Sequence, residues 1–143
     1  MPGRIATAAA LALLLLAGCG SREPSDEEQV RDTLAAFARA VEGRHYQRLC
    51  DEILAPELLD GIAQIGLPCE VALRQSLEEV REPQLAVGAV DIQGTAATAE
   101  VRTAAAGQEP SQDTLRLVKV DEQGWRVSSL GSEDRPAPAP TPE

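Results

Sequence analysis

At Pro83 the hydrophobic period of this chain changes, and no other feature narrows its possible folds as much. Before that point apolar residues recur at helical spacing. Val30, Leu34, Phe37 and Val41 follow at steps of four, three and four, which gives one helix an apolar stripe. After it come four segments of β-forming character, 84–92, 95–104, 114–120 and 125–130, separated by turn residues that include Gly94, Gly107, Pro110 and Gly124. Within the second, Ala97, Ala99 and Val101 alternate with Thr98, Glu100 and Arg102, so one face meets a core and the other meets water. The connections are short enough for hairpins, which predicts an antiparallel meander. A helical half followed by a strand half makes the fold class α+β, with N-terminal helices packed on the sheet.

The helical half can be read more closely. Ser25 stands three residues before Glu28, the spacing of a capping box, and Asp26, Glu27 and Glu28 place negative charge at the positive end of the helix dipole. Gly43 reads as the stop. A second helix is expected over 45–54, with Tyr46, Leu49, Cys50 and Ile53 inward. Pro56 opens another, with Leu58, Leu59, Ile62 and Ile65 apolar, and Gly66-Leu67-Pro68 breaks it. A last helix over 69–80 carries Ala72, Leu73, Leu77 and Val80. Phe37, Tyr46 and Trp125 are the only aromatic residues, so the core is built from methyl-bearing side chains and an aromatic binding cage is excluded.

The first residues have the layout of a secretory signal: Arg4 and the initiator amine, an apolar run over 5–16, then the small pair Ala17-Gly18. That run falls well short of the roughly 20 residues a spanning helix needs. The tetrapeptide Leu16-Ala17-Gly18-Cys19 resembles the lipobox of bacterial lipoproteins. The resemblance implies cleavage of a signal peptide, 1–18, and attachment of diacylglycerol to Cys19. It also implies an exported protein held by membrane lipid at the outer face of the cytoplasmic membrane, or in the periplasm or outer membrane of a cell that has one. Long acyl chains at about 0.8 kcal/mol per buried methylene suffice for such an anchor when two are present. Residues 19–25 then form a tether, 26–131 the domain, and 132–143, with Pro136, Pro138, Pro140 and Pro142, an extended tail that is either a solvated end or a recognition segment.

Charge and cysteine count follow from this layout. The whole chain carries a formal charge of -10, and loss of Arg4 with the signal peptide makes it -11. No basic cluster offsets it, which excludes nucleic acid as a partner. With Cys19 lipidated, Cys50 and Cys69 remain as an even pair in an oxidising compartment, and a disulfide between them is expected. Two thiols and the distant His45 leave a metal site incomplete, so no metal is expected. The spacing is also not that of a Cys-x-x-Cys redox pair.

Three or four helices followed by such a meander resemble the nuclear transport factor 2-like, or SnoaL-like, α+β cone. The local wording supporting this is Ala40-Val-Glu-Gly43 followed by Tyr46-Gln-Arg-Leu-Cys50, and the closing 115–127 segment, where a charged turn precedes Trp125-Arg-Val. The resemblance implies a curved, cystatin-like sheet enclosing a pocket, with Phe37, Tyr46 and Trp125 as the large side chains that line it or pack the core. The family's enzymes place Asp, His or Tyr in that pocket. Here His45 is the one histidine, and no acid is spaced to pair with it. The favoured expectation is therefore a membrane-anchored, non-enzymatic binding or accessory domain without a cofactor, able to take a small apolar ligand. One alternative is a cofactor-free isomerase, cyclase or dehydratase using Tyr46 with Asp91 or Glu100. Another is a structural module whose outer sheet face, with Arg102, Arg116, Lys119 and Arg126 set against Glu100, pairs two copies or docks on an envelope protein.

Overall fold

The computed structural model describes Gly20 and residues 22–131; the expected signal peptide, Cys19 and the proline-rich tail lie outside the described residues. The chain enters helix α1, Asp26–Glu42, through the anticipated capping box: Ser25 Oγ accepts from the Glu28 amide at 3.2 Å, and Glu28 Oε2 accepts from the Ser25 amide at 2.7 Å. These bonds hold the Glu28 carboxyl below its usual range, the backbone bond contributing most. Two of the orphan amides of the first turn are thereby satisfied.

Helix α1 ends at Glu42 with Gly43 as its cap, as the glycine stop predicts, but the left-handed residue that closes it is the next one. Gly43 keeps right-handed backbone at φ -78°, and Arg44 takes the left-handed conformation at φ 54°. The amides of Arg44 and His45 donate back to the carbonyls of Val41 and Ala40, the paired bonds of a Schellman ending. Left-handed backbone opposes an arginine by roughly 1–2 kcal/mol. Its guanidinium supplies an offset: it donates to Tyr46 Oη at 3.2 Å and to the Val80 carbonyl at 3.2 Å, tying the end of α1 to the chain that follows the last helix. A Cβ at Gly43 would lie 2.8 Å from Cε1 of the exposed His45 ring, so a larger residue there would have to turn that ring aside.

The single helix expected over 45–54 is two unlike pieces, α2 at Tyr46–Arg48 and a π-helical turn at Leu49–Ile53. The wider turn, closed by the Leu54 amide on the Leu49 carbonyl, puts Leu49, Cys50 and Ile53 inward together. Leu54 itself is not helical; it forms a parallel bridge with Val127, and the Ala55 amide donates to the Val127 carbonyl. Helix α3, Pro56–Gln64, buries no residue fully, and Ile65 beyond it is 68% exposed, outside the apolar stripe assigned to it. Helix α4, Cys69–Ser76, stops four residues before the expected Val80. Cys50 and Cys69 are joined by a disulfide, Cα to Cα 6.1 Å, which ties the π-helical turn to the start of α4.

The sheet is the expected antiparallel meander in the order β1-β2-β3-β4, with β1 Gln84–Gln93, β2 Ala96–Ala104, β3 Ser111–Val120 and β4 Gly124–Ser129. β3 begins three residues before the predicted start. Gln112 and Asp113 are weak strand formers, but they pair with Arg102 and Val101, so the neighbouring strand overrides propensity. Each edge strand carries a bulge. In β1, Gly88 and Ala89 together face Glu100; in β4, Ser128 is inserted between Val127 and Ser129. Bulges bend strands and increase twist, and the bent sheet brings both edges onto α1, which packs against β1 and β4. Val30 and Leu34 of α1 are 0% exposed at that contact, among Ala97, Ala99, Val101, Leu115, Leu117 and Val127.

Polar bonds hold α1 to both edges. Asp26 Oδ1 accepts from Lys119 Nζ at 2.6 Å and from Trp125 Nε1 at 3.0 Å; Thr33 Oγ1 shares its proton between the carbonyls of Gln29 and Trp125; and Arg31 Nη2 donates to the Gly88 carbonyl at the β1 bulge. The Lys119 bond, then the Trp125 bond, lower the Asp26 carboxyl below its usual range.

Two predictions follow. Because the folded-state values of Asp26 and Glu28 are depressed, their contribution is complete above about pH 4–4.5, the range in which unfolded Asp and Glu titrate, and is lost as pH falls through the lowered folded values. Urea melts of wild type and Asp26→Asn between pH 7 and 2.5 check it: the variant is expected to show a shallower acid loss of stability. Second, the disulfide closes a loop of 19 residues, so Cys50→Ser with Cys69→Ser is expected to cost about 3 kcal/mol in the same melts.

Candidate functional site

The curl of the sheet leaves one end open. There the last turns of α1, the segment after α4, the start of β1 and the end of β2 surround a hollow of about 250 Å³. Phe37 and Val41 form one wall, Leu77 and Val80 a second, and Leu85 and Ala104 a third. All six are half-buried; Phe37, Val41, Leu77 and Leu85 pack against the core on one side and leave apolar surface open to the hollow on the other. Arg44 holds the second wall in place through its bond to the Val80 carbonyl. The disulfide fixes the other end of α4.

The rim is polar and one-sided. Gln84, Thr103, Gln108, Glu109 and Ser111 line it, and among the described residues no Lys or Arg does. Thr103 and Ser111 face each other across β2 and β3, their hydroxyl oxygens 2.8 Å apart, and Ser111 Oγ donates to Asp113 Oδ2 at 2.8 Å. Starting β3 at 114 leaves Ser111 in a loop, so this hydroxyl chain is hidden in the sequence. The 103–111 pairing register is the signal that reveals it.

Of the three large side chains singled out from sequence, only Phe37 lines the hollow. Tyr46 is 8% exposed and Trp125 3%; both belong to the core and offer no face to a ligand. Tyr46 packs its ring beneath the Arg74 guanidinium, 5.9 Å from the ring centroid, and its hydroxyl accepts from Arg44. It is thereby occupied as a structural acceptor. Trp125 lies beside Lys119 Nζ, also 5.9 Å from its ring, and its indole N–H is spent on Asp26. His45 is exposed. Of the two strand acids, Asp91 is exposed and accepts from Gln93 Nε2, while Glu100 stands on the outer sheet face. Neither reaches the hollow.

The outer face forms a second, wider concavity of about 920 Å³, with Thr98, Glu100, Arg102, Thr114 and Arg116 among its residues. It is polar and open, and the charged pattern expected there is present in part. Lys119 is a correction: it shares the parity of Leu115 and Leu117 and turns to the helix side, where Asp26 holds it. Arg126 is engaged at the sheet edge, donating to the Asp51 carbonyl at 2.9 Å. Among the described residues no cluster of three or more His, Cys, Asp or Glu is placed to hold a metal, and no helix is long and apolar enough to cross a membrane.

No family model and no curated protein sequence matches the chain. Solved structures with a similar arrangement include a candidate dehydratase of the NTF2-like family from Streptomyces avermitilis (14% identity, 71% of this chain and 90% of that one, TM-score 0.48). Others are an NTF2-like protein of unknown function from Shewanella baltica OS155 (16%, 73% and 89%, TM-score 0.47) and a nuclear transport factor 2-like superfamily protein from Salmonella enterica serovar Typhimurium LT2 (14%, 77% and 96%, TM-score 0.47).

Proposed function

We propose that this chain is an exported, lipid-anchored protein of the bacterial envelope whose domain, of the nuclear transport factor 2-like kind, binds a small apolar molecule without transforming it. The observation that carries the binding part is the open hollow walled by Phe37, Val41, Leu77, Val80 and Leu85, apolar surface kept half-exposed at the mouth of the curled sheet. Apolar concavities with a few polar groups at the rim are the usual form of small-molecule sites. The side chains named for an isomerase or dehydratase lie elsewhere, Tyr46 in the core and Asp91 and Glu100 on the outer face, and the one titratable group on the rim is Glu109. The export part rests on the signal-like start ending in Cys19 and is favoured by the Cys50–Cys69 disulfide, a bond that persists in oxidising compartments.

Two measurements test these parts separately. Mass spectrometry of the chain recovered from a bacterial membrane fraction is expected to show an N-terminal Cys19 carrying diacylglycerol; an unmodified Cys19 peptide contradicts the anchor. Photolabelling with a short alkyl diazirine is expected to mark peptides containing Phe37 and Leu85 in wild type and to lose most of that labelling when Ala38→Trp fills the hollow. Equal labelling of the two proteins contradicts the binding site.

A further inference from the structure

The rim of the hollow has a chemical polarity that selects among apolar ligands. Asp113 Oδ2 takes the one proton of Ser111, so Ser111 Oγ is left as an acceptor toward Thr103. The proton of Thr103 is then spent along the same chain. Both hydroxyls therefore present lone pairs, and no free O–H, to whatever enters the hollow. The remaining charged group on the rim is Glu109, and among the described residues no cation lines the hollow. Arg44, the guanidinium beside the neighbouring wall, is occupied by Tyr46 Oη and the Val80 carbonyl. The surrounding chain is itself acidic, at -10.

We infer that the hollow takes an apolar chain ending in a hydrogen-bond-donating cation, a primary ammonium, with its methylenes on the Phe37, Leu77 and Leu85 walls and its N–H groups on Thr103, Ser111 and Glu109. This deepens the binding reading above and rests on it. A carboxylate or phosphate head in the same place would meet lone pairs and negative charge with no donor to replace its water, which opposes it. A neutral alcohol can give one hydrogen bond, to Glu109 or a rim hydroxyl, but carries no charge to pair with the carboxylate, so it ranks between them. Size follows from volume: about 250 Å³ divided by ~30 Å³ per water-sized group admits roughly eight methylene-sized groups. The ligand is thus a short-chain amine or the ammonium end of a longer amphiphile whose remainder lies outside.

The test uses three diazirine-bearing probes of one chain length, octylamine, octanol and octanoate, on the full-length chain as the cell exports it. Labelling of the peptides containing Phe37, Leu77 and Leu85 is compared with that of Ala38→Trp and Ala105→Trp, which fill the hollow from two different elements. Ratios between proteins in the same preparation cancel differences in probe partitioning. The expected order, after subtracting the filled variants, is amine above alcohol above carboxylate. Glu109→Gln is expected to weaken amine labelling about three-fold, the size of an exposed charge contact, and to weaken octanol labelling by a smaller factor. Octanoate labelling as strong as octylamine, or an amine signal indifferent to Glu109→Gln, overturns the ammonium assignment while the binding site stands. Absence of labelling above the filled variants for all three probes overturns the site and the assignment together.

Discussion

The grip of α1 on both edges of the sheet is the contact on which the rest of this structure depends. Four strands hydrogen-bonded in sequence order make an open sheet, and an open sheet of this size leaves two edges and a half-wet inner face. Here the bulges at Gly88-Ala89 and Ser128 bend the outer strands. Val30 and Leu34 fill the concavity so formed, and Asp26, Arg31 and Thr33 hold the helix to β1 on one side and to β3 and β4 on the other. The apolar burial supplies the larger energy, since a fully buried Val or Leu contributes about 1.5–3 kcal/mol. The half-exposed polar bonds set the helix's position and direction more than its stability.

From that grip the hollow follows. Helix α1 is long enough to cover the middle of the sheet, and Phe37 and Val41 mark where its cover ends. What limits the opening is the chain around α4, fastened at one end by the Cys50–Cys69 disulfide and near the other by Arg44. A domain with so few aromatic residues gains from such covalent and polar fastening, because methyl-rich packing leaves less contact area per residue. The left-handed Arg44 is an instance of local strain offset by tertiary bonds: an arginine stands where glycine is the easier choice, and its side chain reaches Tyr46 and Val80.

Much of the architecture was legible from local chemistry. The change of period at Pro83, the Ser25–Glu28 capping box, the alternation along β2 and the pairing of Cys50 with Cys69 each depend on neighbours in sequence or on a count of cysteines, and each is present. What escaped was set by partners distant in sequence. The π-helical turn at Leu49–Ile53 exists because Leu49, Cys50 and Ile53 must all face the core while Leu54 meets Val127. β3 extends back to Ser111 because β2 is there to pair with it. Lys119 and Trp125 turn toward Asp26, 93 and 99 residues away in sequence. Of the site, Phe37 was visible as the one aromatic on the α1 stripe. The hydroxyl chain from Thr103 to Asp113 was not, since it needs the strand register to bring Ser111 opposite Thr103.

The dependence of both sheet edges on one helix is tested most directly by amide hydrogen exchange on Leu34→Ala. Removing this fully buried side chain is expected to cost about 2–5 kcal/mol. If α1 couples the edges, the amides of β1 and β4 lose protection together and by the same factor. Wild-type protection in β4 alongside fast exchange in β1 would contradict it, because the two edges would then be held independently of the helix between them.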